Sequence, residues 1–123
     1  MNGLNFSGAI LDDAQLAGSY LIRADLKQAE LCSANLCGAN LDGANLEGAN
    51  LSNAKLRGVR ADYANFAGTD LSGADLTDAV LSTSVGLTQA QLESANGGIF
   101  TYMPKKLANG REPSLPDHWR WAK

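Results

Sequence analysis

Every fifth residue from Phe6 to Leu81 is Leu or Phe, Ala61 excepted, so sixteen five-residue units follow one another without a gap. Two positions before that residue stands Ala in twelve units, and the other four carry Leu4, Ser19, Val59 and Thr69. The residue between them is polar in most units, as in Asn35, Asn40, Asn45, Asn50 and Asp75, and Gly follows two positions after the Leu in eight. An inward, outward, inward triplet is the period-two mark of a short strand. The remaining two residues make a corner, where Gly accepts the turn angles and Asn or Asp can bond nearby backbone. A helix is excluded, because five residues advance roughly 500° and successive Leu would rotate by about 140° around it. The chain therefore turns a corner every five residues and stacks coil on coil, a solenoid in which each coil touches only its neighbours.

These A-[N/D]-L-x-G units resemble the pentapeptide-repeat family, and the resemblance covers about two-thirds of the chain. It implies an all-β fold, a right-handed quadrilateral β-helix with four pentapeptides per coil and about four coils, in which residues 20 apart stack. The inner columns are then Phe6, Leu26, Leu46, Phe66; Leu11, Leu31, Leu51, Leu71; Leu16, Leu36, Leu56, Leu76; and Leu21, Leu41, Ala61, Leu81. The expected order is a β-helix over 1–85, a capping helix within 86–98 and a tail over 99–123.

The ends follow from the edges. Leu4 replaces the usual Ala and suggests a larger side chain plugging the N-terminal mouth. After Leu81 the pattern stops, and Thr88 with Gln91 reads as a capping box stapled by Leu87 and Leu92. We expect a short helix over Thr88 to Ala95 that lids the last coil and ends at Asn96-Gly97-Gly98. Against it, Ala90-Gln91-Leu92 and Ala95-Asn96-Gly97 imitate two more repeats, one residue out of frame. Residues 99–123 hold all three Pro, both Trp and the sole His, including Ile99, Phe100, Tyr102, Met103, His118, Trp119 and Trp121. So aromatic a segment, too short for its own core, either packs on the solenoid or engages a partner.

Charge divides unevenly, with five basic and ten acidic side chains in 1–85 and five basic and three acidic in 86–123. No apolar run approaches the roughly 20 residues of a membrane span, and residues 1–15 lack the pattern of an export signal. A soluble cytoplasmic protein is expected, and Cys32 with Cys37 makes no disulfide framework. No motif sets a nucleophile beside His118, and neither zinc spacing nor a phosphate loop occurs. We therefore expect no catalytic residues, no cofactor and no metal.

One face departs from the polar rule of the exterior. It carries Tyr20, Ile22 and Arg23, then Asp42, then Arg60, Asp62 and Tyr63, then Val80. Aromatic residues and Arg are those enriched at protein interfaces. Asp42 and Asp62 would stack in one column, an unfavourable arrangement unless Arg23 or Arg60 lies between them. The expected function is a non-catalytic protein-interaction or scaffold module whose partner is another protein, with no membrane or nucleic-acid partner expected. A homo-oligomer through an end or the C-terminal tail stays open. The alternative comes from the resemblance: some pentapeptide-repeat proteins mimic DNA and regulate type II topoisomerases such as gyrase. A mimic needs a long acidic face to match one charge per about 1.7 Å of DNA, and here Arg23, Lys27, Lys55, Arg57 and Arg60 are interspersed with the acids. Finally, Val59-Arg60-Ala61 inverts the inner pair from small-large to large-small, so Val59 is expected to fill the volume of the missing Leu.

Overall fold

The computed structural model describes residues 3–98 and 101–119. Its backbone is a ladder of parallel bridges 20 residues apart, such as Asn5 to Asp25, Asp25 to Asn45 and Asn45 to Asn65. Four pentapeptides thus make one turn of a β-helix. Each rung is bonded on both sides: Leu26 N donates to Asn45 O at 2.8 Å, and Asn45 N donates to Ala24 O at 2.9 Å. Every corner closes on itself, as where Ala44 N donates to Leu41 O at 2.9 Å across Gly43 at φ +69°.

The inner columns are those the period predicts. Leu26, Leu31, Leu36, Leu41, Leu46, Leu51, Leu56, Phe66, Leu71, Leu76 and Leu81 are all buried, with the Ala of each unit buried beside them. Phe6, Leu11 and Leu16 pack on this core only partly buried, and Leu4 is half-buried with them. The two hydroxyls among the Ala positions stay satisfied: Thr69 Oγ1 donates to Leu46 O and Ser19 Oγ to Leu16 O, both at 2.6 Å.

The preference for Asn or Asp between the inner residues has a local cause. The side-chain oxygen accepts the amide two residues on, as in Asp42 N to Asn40 Oδ1 at 2.9 Å and Ser72 N to Asp70 Oδ1 at 2.9 Å. This bond turns the chain into the corner while satisfying a donor that the rung leaves free. At Asp70 it also holds the carboxyl below its usual value, through the Ser72 amide first and the Ser72 hydroxyl second, against the opposing effect of burial. A depressed folded-state pKa contributes stability above the unfolded value, lost as pH falls through the folded one. Asp70→Asn keeps the oxygen acceptor and cannot titrate. At neutral pH the variant should therefore melt slightly lower, having lost the charged acceptor, and on acidifying below pH 3.8 the two melting temperatures should converge. An identical drop in both proteins would rule out this linkage.

The ladder changes character after Val85. Helix α1, Gln89–Ser94, starts at the N-cap Thr88, whose hydroxyl accepts Gln91 N at 3.1 Å while Thr88 N donates to Gln91 Oε1 at 2.7 Å. Gln91 Nε2 then donates to Phe66 O and Thr69 O, both at 2.8 Å, tying the helix to the turn beneath. Leu87 and Leu92 are buried under it. Both competing readings of this stretch hold in part, because Asn96 resumes the ladder on Asp75, now 21 residues away, and Tyr102 pairs with Val80 at 22.

The described part of the tail packs on the solenoid: Tyr102 extends the column of Tyr20 and Val80 as a further rung, and Trp119, in a 3-10 turn over Asp117–Trp119, is fully buried at the end of the solenoid. Its indole Nε1 donates to Ala95 O at 3.0 Å, beside His118 Nε2 donating to the same oxygen at 2.7 Å. Gly97 makes the seat, since a Cβ there would stand 2.8 Å from the indole ring. The open acceptor and the missing side chain draw Trp119 to the end rather than to the side. Ile99, Phe100 and Trp121 lie outside the described residues.

Candidate interaction face

The central column of the irregular face runs Tyr20, Asn40, Arg60, Val80, Tyr102, each bridged to the next. Beside it, at the corner, an open groove is lined by Ile22, Arg23, Asp42, Gly43, Asp62 and Tyr63. Of the residues singled out from sequence, Ile22, Arg23, Asp42, Asp62 and Tyr63 share this groove. Arg60 reaches across to its carboxylates, and Tyr20 stands at the N-terminal end of the column.

Two carboxylates in one column are held by a single guanidinium. Arg60 Nη2 lies 3.2 Å from Asp62 Oδ2 and 3.5 Å from Asp42 Oδ2. The arrangement follows from Arg60 itself, which occupies an Asn position but offers no acceptor for the amide two residues on. Asp42 supplies one from the turn before, with Asp62 N donating to Asp42 Oδ1 at 3.0 Å. Thr83 completes the stack, its Oγ1 donating to Asp62 Oδ1 at 3.1 Å and accepting Tyr63 N at 3.2 Å. Sequence reasoning missed Thr83, and named Tyr102 only as one of the tail's aromatic residues. Counting 20 on from Tyr63 would have found Thr83, whereas Tyr102 is hidden by two residues added to the register, one before Asn96 and one between Asn96 and Tyr102.

The corner residue adopts positive φ in fifteen of the sixteen units, Thr83 excepted, and Gly fills it in eight. Arg23 at φ +58° and Tyr63 at +61° take it with large side chains. Left-handed geometry costs an ordinary residue about 1–2 kcal/mol, and Asp13, Gln28, Ser33, Asn53 and Asp78 take it at other corners. The ion pairs do not account for it, because Arg60 is largely exposed and surface pairs contribute about 0–1 kcal/mol. Tyr20, Tyr63 and Tyr102, the three tyrosines of the sequence, are 68%, 73% and 60% exposed and all border this face.

Other chemistry finds less. Among the described residues no three His, Cys, Asp or Glu side chains converge as metal ligands. No described helix is long and apolar enough to cross a membrane. Cys32 and Cys37 are free thiols, and Cys32 Sγ lies 2.9 Å from Ser52 Oγ.

Comparison with known proteins follows the ladder. The family described as Pentapeptide repeats, in 8 copies, matches residues 1–36, 19–58 and 62–96. Among solved structures, the pentapeptide repeat protein Rfr23 from the cyanobacterium Cyanothece 51142 is similar at TM-score 0.76 and 24% identity, over 84% of this chain and 83% of that one. The pentapeptide repeat protein alr5209 from Nostoc PCC 7120 is 31% identical over 83% of this chain and 75% of its own, with TM-score 0.38. QnrB1, a plasmid-mediated fluoroquinolone resistance protein, aligns at TM-score 0.52 and 16% identity over 91% of this chain and 75% of its own. No curated protein matches the sequence.

Proposed function

The chain belongs to the pentapeptide repeat family, and on that premise we propose that it is a non-catalytic protein-interaction module whose working surface is the Tyr20, Ile22, Arg23, Asp42, Arg60, Asp62, Tyr63 face. The observation that carries this reading is the gathering of three exposed tyrosines around an Arg-bridged carboxylate pair on one side of the solenoid. Tyr and Arg are the side chains that anchor protein interfaces, and a rigid ladder holds them in fixed register. The interior is filled by stacked Leu and Ala, so display from the outside is the chemistry this architecture favours. The cytoplasm suits the two free thiols, which a reducing compartment keeps so.

The alternative, a DNA-mimicking regulator of a type II topoisomerase, needs an unbroken acidic column. Here Asp25 is followed by Asn45 and Asn65, Glu30 by Asn50, and Asp75 is preceded by Lys55. These interruptions favour the interaction module.

The test is affinity capture from the native host with the wild type and with Tyr20→Ser/Arg60→Ala/Tyr63→Ser, followed by mass spectrometry. A protein retained by the wild type and lost by the variant, with both chains equally folded by circular dichroism, is the expected result. Equal recovery on both would remove this face from the function.

A further inference from the structure

We infer that the N-terminal turn of the solenoid pairs edge to edge with the same turn of a second copy of this chain, closing a dimer about a two-fold axis through Ile10. The contact draws no residue from the tyrosine-bearing face. In every later turn the middle residue of a unit directs both its N–H and its C=O to the turn before, as where Glu30 N donates to Ala9 O at 2.8 Å and Glu30 O accepts Leu11 N at 2.7 Å. Asn5, Ile10 and Gln15 hold the same places in the N-terminal turn, and among the described residues their backbone N–H and C=O groups bond to nothing. Two such residues facing each other in antiparallel strands exchange both bonds. A second N-terminal turn, met head to head, offers that match at each of the three. The opposite end does not, because α1 and the buried Trp119 close it.

Charge marks the same edge. The middle row of each later turn carries two charged residues: Asp25 and Glu30, Lys55 and Arg60, Asp70 and Asp75. The first row is Asn5, Ile10, Gln15 and Tyr20, with none. Charged side chains are a device that keeps an exposed strand edge from recruiting another chain, and this open edge lacks them. Ile10, at its centre, is 80% exposed. Leu4, Phe6, Leu11 and Leu16 stay partly open, while their counterparts one turn on, Ala24, Leu26, Leu31 and Leu36, are buried.

Register follows from shape. The end of a solenoid is a ramp, so a two-fold axis keeps the gap even only where the numbers of paired residues have a constant sum. An axis at Ile10 pairs Ile10 with its own copy, and Asn5 with Gln15 of the second copy in both directions. Phe6 then meets Ala14 and Leu11 meets Ala9, large against small, and Asp12 and Asp13 meet Gly8 and Ser7. An axis one corner later would set Asp12 and Asp13 against their own copies, like charges in opposition. An axis one corner earlier would match Asn5 with Ile10 and leave Gln15 unpaired. Five residues a side at about 3.3 Å each give a contact on the order of 300–400 Å² with side chains. That is about half of the roughly 800 Å² per partner in a standard interface, so the dimer is reversible and forms as concentration rises.

Sedimentation equilibrium of the full chain from about 10 μM to about 1 mM, the range suited to a contact of this size, should show monomer passing to dimer. Association should stop there, since a two-fold contact closes. Ile10→Lys and Ile10→Asp each bring like charges together on the axis and should weaken association by about tenfold or more, with unchanged circular dichroism. Mixed in equal amounts, the two variants should dimerise again, because each then meets its opposite. Hydrogen exchange at the Asn5, Ile10 and Gln15 amides should slow with concentration in the wild type and not in Ile10→Lys. Val85→Lys, at an exposed apolar site on a later turn, should dimerise as the wild type does. A wild type that stays monomeric throughout, association beyond the dimer, equal association by Ile10→Lys, or a mixture of the two variants that stays monomeric would overturn the inference.

Discussion

Trp119→Ala should lower stability by about 3–5 kcal/mol, the range for removing a buried large aromatic side chain. The loss has two parts. The indole is fully buried at the solenoid end, and its Nε1 donates to Ala95 O, which would keep His118 as its remaining side-chain donor. Gly97→Ala attacks the same contact from the other side, because the new Cβ would meet the ring at 2.8 Å. The two changes should be strongly non-additive, since each undocks the same turn. Chemical denaturation followed by far-ultraviolet circular dichroism checks both. Additive losses would show that Trp119 and Gly97 stabilise the chain independently, and a Trp119→Ala loss below about 1 kcal/mol would show the docking to be marginal.

The second large effect is expected inside the column at the inverted unit. Val59 and Ala61 are both fully buried, between Ala39 and Ala79 on one line and Leu41 and Leu81 on the other. Ala61→Leu restores the usual large residue but leaves Val59 in the small position, so the layer is overpacked by about 1–3 kcal/mol. Val59→Ala combined with Ala61→Leu restores the pattern of the neighbouring units and should recover most of that loss. Equal melting temperatures for the wild type, single and double variants would show that the layer accommodates volume without strain.

What was legible in the sequence is what each pentapeptide settles for itself. The Leu and Ala positions follow from alternation, the Asn or Asp position from a bond to an amide two residues away, and the Thr88 and Gln91 pairing from side chains three residues apart. The period also placed Asp42 and Asp62 in one column and pointed to Arg60 or Arg23 as the cation between them; the structure uses Arg60, with Arg23 lining the groove. What was not legible depends on register accumulated over distance. The stretch with α1 lengthens the step from 20 residues to 21, and one more residue between Asn96 and Tyr102 makes it 22, which carries Tyr102 onto the Tyr20 column with no local mark in the sequence. The seat of Trp119 requires knowing that Gly97 and the Ala95 carbonyl face the same hollow, a tertiary fact that neither residue announces.

The amide of Asp62 has a further consequence. Where Asn or Asp occupies the middle of a unit, its corner is bonded within five residues, and a block of 20 can be exchanged for another without disturbing that bond. At Arg60 the acceptor comes from Asp42, one turn earlier, and Thr83, one turn later, holds the Asp62 carboxylate. Three successive turns are stitched together there by side chains as well as by the backbone ladder. Transplanting any one of them would leave an amide or a carboxylate without its mate. Along this edge three turns go together, as they do at Cys32, whose amide donates to Asp12 Oδ1 one turn earlier and whose Sγ lies 2.9 Å from Ser52 Oγ one turn later.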